Sequence, residues 1–199
     1  MKYLSSIFLL LCLIHCKKTK PLTYEQGLEN CIQVQVQNEK THPSELFLDS
    51  PDCLIGALIP DFEATTLDGS KINRASLLGK VSVLNFWFTT CAPCVAEIPG
   101  LNAVVQKFGI GQVNYLAIGR ENKEDIEAFL LEHPWSFQQI PDGMALDKAV
   151  FKLQWGYPTT FVLNKNAEIV QVFSGGATDS NAVDAVQRNL IPVIENALR

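Results

Sequence analysis

Asn85-Phe86-Trp87-Phe88-Thr89-Thr90-Cys91-Ala92-Pro93-Cys94 is the stretch on which the reading of the fold turns. Its first residues close a run, Val81 to Phe88, rich in β-branched and aromatic side chains and interrupted by the polar Asn85. Such a run predicts a strand covered on both faces, and so central in a sheet. Beyond the cysteines, apolar residues fall at Ile98, Leu101, Val105 and Phe108, which is helical spacing, and Gly109 supplies the stop. A bend is expected at Pro99. The first sulfur of the C-x-x-C pair therefore lies at a helix N-terminus, where free amides and the helix dipole stabilise a thiolate. Cys91 is expected to be the attacking thiol. Cys94, one helical turn on, can reach back to resolve a mixed disulfide on Cys91. Pro93 suits the first turn, because its missing amide hydrogen would have had no intrahelical partner.

Working outward, the chain has 199 residues, 47% of them hydrophobic, which allows one core plus extensions and excludes a second large domain. Sixteen basic side chains against 21 acidic ones give a formal charge of -5, so no electrostatic footprint for nucleic acid exists. The longest apolar run, Ile7 to Ile14, is far short of the roughly 20 residues a membrane-spanning helix needs. Residues 1–15 read instead as an export signal: Lys2 supplies the charged start and Tyr3 to Ile14 the apolar stretch. Leu13-Ile14-His15-Cys16 resembles the lipobox of bacterial lipoproteins, with Cys16 as the lipidated residue, although His15 stands where that motif normally has a small residue. An ordinary cleaved secretory signal is the alternative.

Six cysteines are present, at 12, 16, 31, 53, 91 and 94, and the first two belong to the export segment. An even remainder in an exported protein suggests pairs. Residues 16–56 read as a polar tether carrying Pro21, Pro43 and Pro51, with one alternating stretch, Ile32 to Val36, that suits a strand. A Cys31–Cys53 bridge would staple this tether to the domain; two free thiols are the other reading. Phe62 to Leu67, Asp68-Gly69 and Lys71-Ile72 suggest a hairpin, since Asp-Gly provides the positive φ angles of a tight turn.

Val113 to Ile118 is the next strand, and Asn122 caps a helix that ends before Pro134. Phe137 to Ile140 reads as a short strand and Ala145 to Leu153 as a short helix. Thr159 to Leu163 and Ile169 to Phe173 are joined by five residues, short enough to force antiparallel pairing. Asn181 to Leu198 has helical spacing at Val183, Val186, Leu190 and Ile194, with a bend at Pro192. The fold class is α/β: a mixed sheet layered between helices.

From Ala57 to Arg199 the chain resembles the thioredoxin superfamily, and within it the exported thiol-disulfide oxidoreductases of the TlpA/ResA type. The marks are Pro60-Asp61-Phe62, Leu67-Asp68-Gly69, Leu78-Gly79-Lys80, the block from Phe86 to Cys94, Glu97 with Pro99, and Gly156-Tyr157-Pro158-Thr159-Thr160. The resemblance implies a three-layer sandwich over 57–199 with an N-terminal β-hairpin extension and one inserted strand–helix element. It implies that Pro158 is cis and faces the disulfide, with substrate lying beside it. Glu97, one turn beyond Cys94, becomes a candidate for proton transfer if it is desolvated, the alternative being a solvated helix glutamate. Asn85 stands where thioredoxin has a buried, titratable aspartate, so proton handling would pass to Glu97 or water. Ala92, Pro93, Trp87 and Tyr157 are candidates for contacting substrate; Trp87 reads equally as core or as a lid.

The implied reaction is reduction of disulfides in partner proteins, with electrons from a membrane donor, no cofactor beyond the Cys91/Cys94 pair, and a monomer anchored in the cell envelope through Cys16. A peroxiredoxin would need Thr or Ser and a proline where Phe88 and Leu84 stand. A copper-carrying module of similar fold would need a distant histidine, and beyond the export segment only His42 and His133 are on offer. A redox-inactive scaffold is the remaining reading.

Overall fold

In the computed structural model, residues 20–41 and 50–199 are described; the expected export signal, Cys16 and His42 lie outside them. The chain enters through a helix, α1 (Tyr24–Thr41). Ile32 to Val36 is therefore helical, which corrects the expected strand. Tyr24, Leu28 and Cys31 are buried at positions i, i+4 and i+7, one stripe of a helix. As a strand the segment would need a ladder partner for its backbone, and a helix satisfies those groups internally. The alternating Ile32, Val34 and Val36 consequently stay exposed, at 53%, 46% and 43%. The tether, in its described part, is thus a docked helix. The Tyr24 hydroxyl donates to the Phe151 carbonyl at 2.8 Å, and Cys31 is bonded to Cys53 (S–S 1.98 Å), which lies in a 3₁₀ turn at Pro51–Leu54. Gly27 lets the turn approach, since a Cβ there would sit 3.1 Å from Leu54 and 3.2 Å from Ala57.

Two short strands follow, β1 (Glu63–Thr65) and β2 (Lys71–Asn73), paired antiparallel. Their connection is longer than a two-residue turn: Thr66 N–H donates to Ser70 O at 3.0 Å, and within it only Gly69 adopts positive φ, at +86°.

The remaining elements are β3 (Val81–Trp87), α2 (Ala92–Phe108), β4 (Val113–Gly119), α3 (Lys123–Glu132), β5 (Gln138–Ile140), β6 (Thr159–Leu163), β7 (Ile169–Ser174) and α4 (Ala182–Leu198). The sheet order is β5-β4-β3-β6-β7, parallel across β3, β4 and β5 and antiparallel at β6 and β7. All seven residues of β3 are buried, as expected of its central place. One face of the sheet carries α1 and the hairpin; the other carries α2, α3 and α4. Alternation along β3 divides the faces: Leu84 and Phe86 join the first core, Val81, Val83 and Trp87 the second. Gly100 permits the close crossing of α2 and α4, because a Cβ there would meet the Val183 carbonyl at 2.9 Å. Asn122 caps α3 by accepting from Asp125 N–H at 2.9 Å. The expected helix at Ala145 to Leu153 is instead a π-helical turn, Leu146–Phe151, closed by Lys152 in the left-handed region at φ +48°.

Replacing Cys31 and Cys53 together with Ser releases the loop between them and is expected to cost about 3 kcal/mol of stability, read from denaturant unfolding of wild type and variant.

Candidate active site

The site forms where β3 delivers the chain into α2. Cys91 is the N-cap of α2, and its sulfur accepts the backbone N–H of Cys94 at 3.3 Å. Cys91 and Cys94 are joined by a disulfide, S–S 1.94 Å. Both are buried, yet Cys91 keeps the greater exposure, 4% against 1%. That asymmetry suits attack at Cys91. Ala92 is exposed and Pro93 half-buried in the first turn, so both present surface beside the sulfurs.

Trp87 is fully buried, which corrects its candidacy as a substrate contact: it is core beneath the disulfide. Its indole packs on Phe129 and Trp135, at centroid distances of 5.0 and 4.9 Å. The next residue, Phe88, is half-buried, and its ring meets Tyr157 edge-on at 5.3 Å.

The loop that enters β6 carries Tyr157 and Pro158, and the peptide bond between them is cis. Pro158 O accepts the N–H of Gly175 at 2.9 Å. The next residue, Gly176, sits against both the proline and Glu97: a Cβ there would meet Glu97 Oε1 at 2.5 Å and Pro158 Cγ at 3.3 Å. Glycine at 176 leaves room for this close approach, and it follows Gly175 directly after β7.

Glu97 is therefore held against the Pro158 loop rather than in open solvent. Burial pushes its carboxyl up to about 7. It lines a cavity of about 80 Å³ with Leu101, Thr160, Phe173 and Leu190, large enough for water. Thr160 Oγ1 accepts from Asn85 Nδ2 at 2.8 Å, while Asn85 Oδ1 is buried without a hydrogen-bond partner. Asn85 is thus linked through Thr160 to the cavity that Glu97 lines. Glu97 can take or return a proton near neutral pH, which Asn85 cannot.

Two further carboxylates were not singled out from the sequence. Glu121 Oε1 accepts both the N–H and the hydroxyl of Thr89 at 3.0 Å, bracing the loop that leads into Cys91. Asp147, buried in the π-helical turn, accepts the Tyr157 hydroxyl. No spacing pattern in the chain pairs 147 with 157. His133 stacks on Phe129 at 4.4 Å, and among the described residues no group of three or more His, Cys, Asp or Glu is arranged to hold a metal.

Residues 55–172 match the model of the AhpC/TSA family. The chain belongs to that family. Among its relatives, the thiol-disulfide oxidoreductase ResA of Bacillus cereus is 30% identical over 148 residues, 71% of this chain and 82% of that protein. ResA of Geobacillus kaustophilus is 31% identical over 137 residues, 68% of this chain and 78% of that protein. A solved structure of a thiol:disulfide interchange protein DsbE from Chlorobium tepidum superposes with a TM-score of 0.61 at 23% identity, covering 77% of this chain and all of that one. The thioredoxin-like mixed α/β fold is thereby established, as is the ResA kinship expected from the motifs.

Because folding raises the proton affinity of Glu97 from the ordinary 4.5 to about 7, the native chain keeps a proton over that window which the unfolded chain has released. Its contribution to stability is complete below the lower value and disappears as pH rises through the upper one. The melting temperature of wild type is expected to fall more steeply from pH 4.5 to 7 than that of Glu97→Gln, followed by calorimetry at a series of pH values.

Proposed function

We propose that this thiol-disulfide oxidoreductase works as a reductant of partner-protein disulfides outside the cytoplasm. The observation that carries the proposal is the Cys91 sulfur at the N-cap of α2, bonded to Cys94, with Phe88 of the segment leading into Cys91 packed on Tyr157 next to the cis Pro158. The reduced Cys91 thiolate attacks one sulfur of the substrate disulfide. A Cys91–substrate bond forms as the substrate S–S bond breaks, and the departing thiolate takes up a proton. Cys94, losing its proton to Glu97 or water, then attacks Cys91. The Cys91–Cys94 disulfide forms, the second substrate thiolate leaves and is protonated, and two electrons have passed to the substrate. Tyr157, Ala92 and Pro93 flank the path of approach, with Pro158 as the facing wall.

Regeneration needs a dithiol donor, which we assign to the membrane. Export rests on the charged start and apolar run of residues 1–15, and attachment on the lipobox-like Leu13-Ile14-His15-Cys16. Among the described residues no helix is long and apolar enough to cross a membrane, so an anchor through Cys16 is what would hold the protein near its donor. We assign a monomer and no cofactor beyond the cysteine pair.

Equilibration with glutathione and dithiothreitol buffers is expected to give a midpoint close to thioredoxin's, about -270 mV; a value near that of strong oxidants, about -120 mV, would reverse the direction. Cys94→Ser is expected to accumulate partners as mixed disulfides on Cys91, seen on non-reducing gels. Equal trapping by Cys91→Ser would assign the nucleophile to Cys94 instead.

A further inference from the structure

Around Tyr157 lies a cluster whose other members the exchange chemistry above does not use. Tyr157, immediately before Pro158, donates its hydroxyl to Asp147 Oδ2. Asp147 is 1% exposed and sits in the π-helical turn Leu146–Phe151. Lys148 Nζ lies 3.5 Å from the same oxygen, and Oδ1 is buried without a hydrogen-bond partner. On its other side the Tyr157 ring meets Phe88, and the Arg120 guanidinium lies 5.5 Å from the centre of each ring. Arg120 Nη2 also donates to Met144 Sδ at 3.4 Å.

This stack joins the two walls of the site. Phe88 O accepts the backbone N–H of Cys91 at 3.1 Å, and Glu121, next to Arg120, holds Thr89. Residues 88 and 157 belong to opposite loops, and Arg120 bridges them. A buried carboxylate is costly unless it is hydrogen-bonded, so a position needing only packing is better served by an apolar side chain. Interruptions of helical geometry by a π turn are frequent at functional sites. Burial, the Asp147 hydrogen bond and the Asp147 charge all hold the Tyr157 hydroxyl in its protonated, donating form, as does Glu121, against an opposing effect of Arg120.

We propose that Asp147 is a positioning residue of the exchange reaction: through Tyr157 it sets the Pro158 loop and the Phe88–Tyr157–Arg120 shelf on which the cysteine-bearing segment of a protein substrate lies. The proposal rests on the disulfide-exchange reading above and adds to it a means of preferring protein disulfides to small ones. A small disulfide reaches Cys91 without lying along the shelf, whereas a polypeptide must be seated on it.

The test compares Asp147→Asn, Tyr157→Phe and the double variant, each with reduction of insulin and of oxidised glutathione. The ratio of kcat/KM for insulin to that for glutathione disulfide is expected to fall about tenfold in each single variant and no further in the double, because both remove one shared bond. The ratio cancels any loss of folded fraction or of sulfur reactivity, which lowers both rates alike. An unchanged ratio overturns the proposal and reduces Asp147 to a support of the fold. Losses that multiply in the double variant overturn it too, since the two side chains would then act separately. Tyr157→Phe keeps the ring and its packing, and so carries the test if Asp147→Asn does not fold. Failure of the wild-type chain to reduce either disulfide would instead strike the exchange reading itself, and this proposal with it.

Discussion

The contact between the Cys91 sulfur and the Cys94 amide is the constraint around which the site is arranged. A helix start leaves its first amides without intrahelical partners, and here one of them is met by a sulfur rather than by a hydroxyl or carboxylate. The same geometry that caps α2 stabilises negative charge on that sulfur once the disulfide opens. Capping and reactivity are thus one arrangement. It requires that β3 deliver the chain to a fixed point, which explains why β3 is central and buried along its whole length.

The surroundings of Glu97 are assembled from distant parts of the chain. Pro158 comes at the entry to β6, Gly176 after β7 and Glu97 from α2, and the three meet beside the small cavity that α2, α4 and the strands β6 and β7 line together. The Glu97 carboxylate lies close to Gly176, and its raised proton affinity follows from its burial. On the other flank, Asp147 and Glu121 brace the two loops from beneath. These carboxylates differ in their surroundings: Glu97 is buried beside a small cavity, whereas Asp147 and Glu121 are engaged by a tyrosine and a threonine.

The N-terminal helix shows where local pattern misleads. Ile32, Val34 and Val36 alternate as in a strand, yet the burial of Tyr24, Leu28 and Cys31 and the bridge to Cys53 place the segment as a helix. Three buried contacts and a covalent link outweigh an alternation that gains nothing without a neighbouring strand. The turn at residues 146–151 is a similar case, because a π turn and an α turn have nearly the same composition and differ in which carbonyl each amide reaches.

The chain's order alone determined the central strand, the C-x-x-C at a helix start, the antiparallel pair after Pro158 and the kinship with disulfide-exchanging proteins. These are local signals: periodicity, a turn length and a motif whose parts lie within a few residues. Tertiary structure alone decided that Trp87 is core and Phe88 is half-buried against Tyr157, that Glu97 is buried beside Gly176, and that Asp147 holds Tyr157. Each of these depends on what lies across the fold, since burial and hydrogen-bond partners are properties of neighbours in space and leave no period in the sequence.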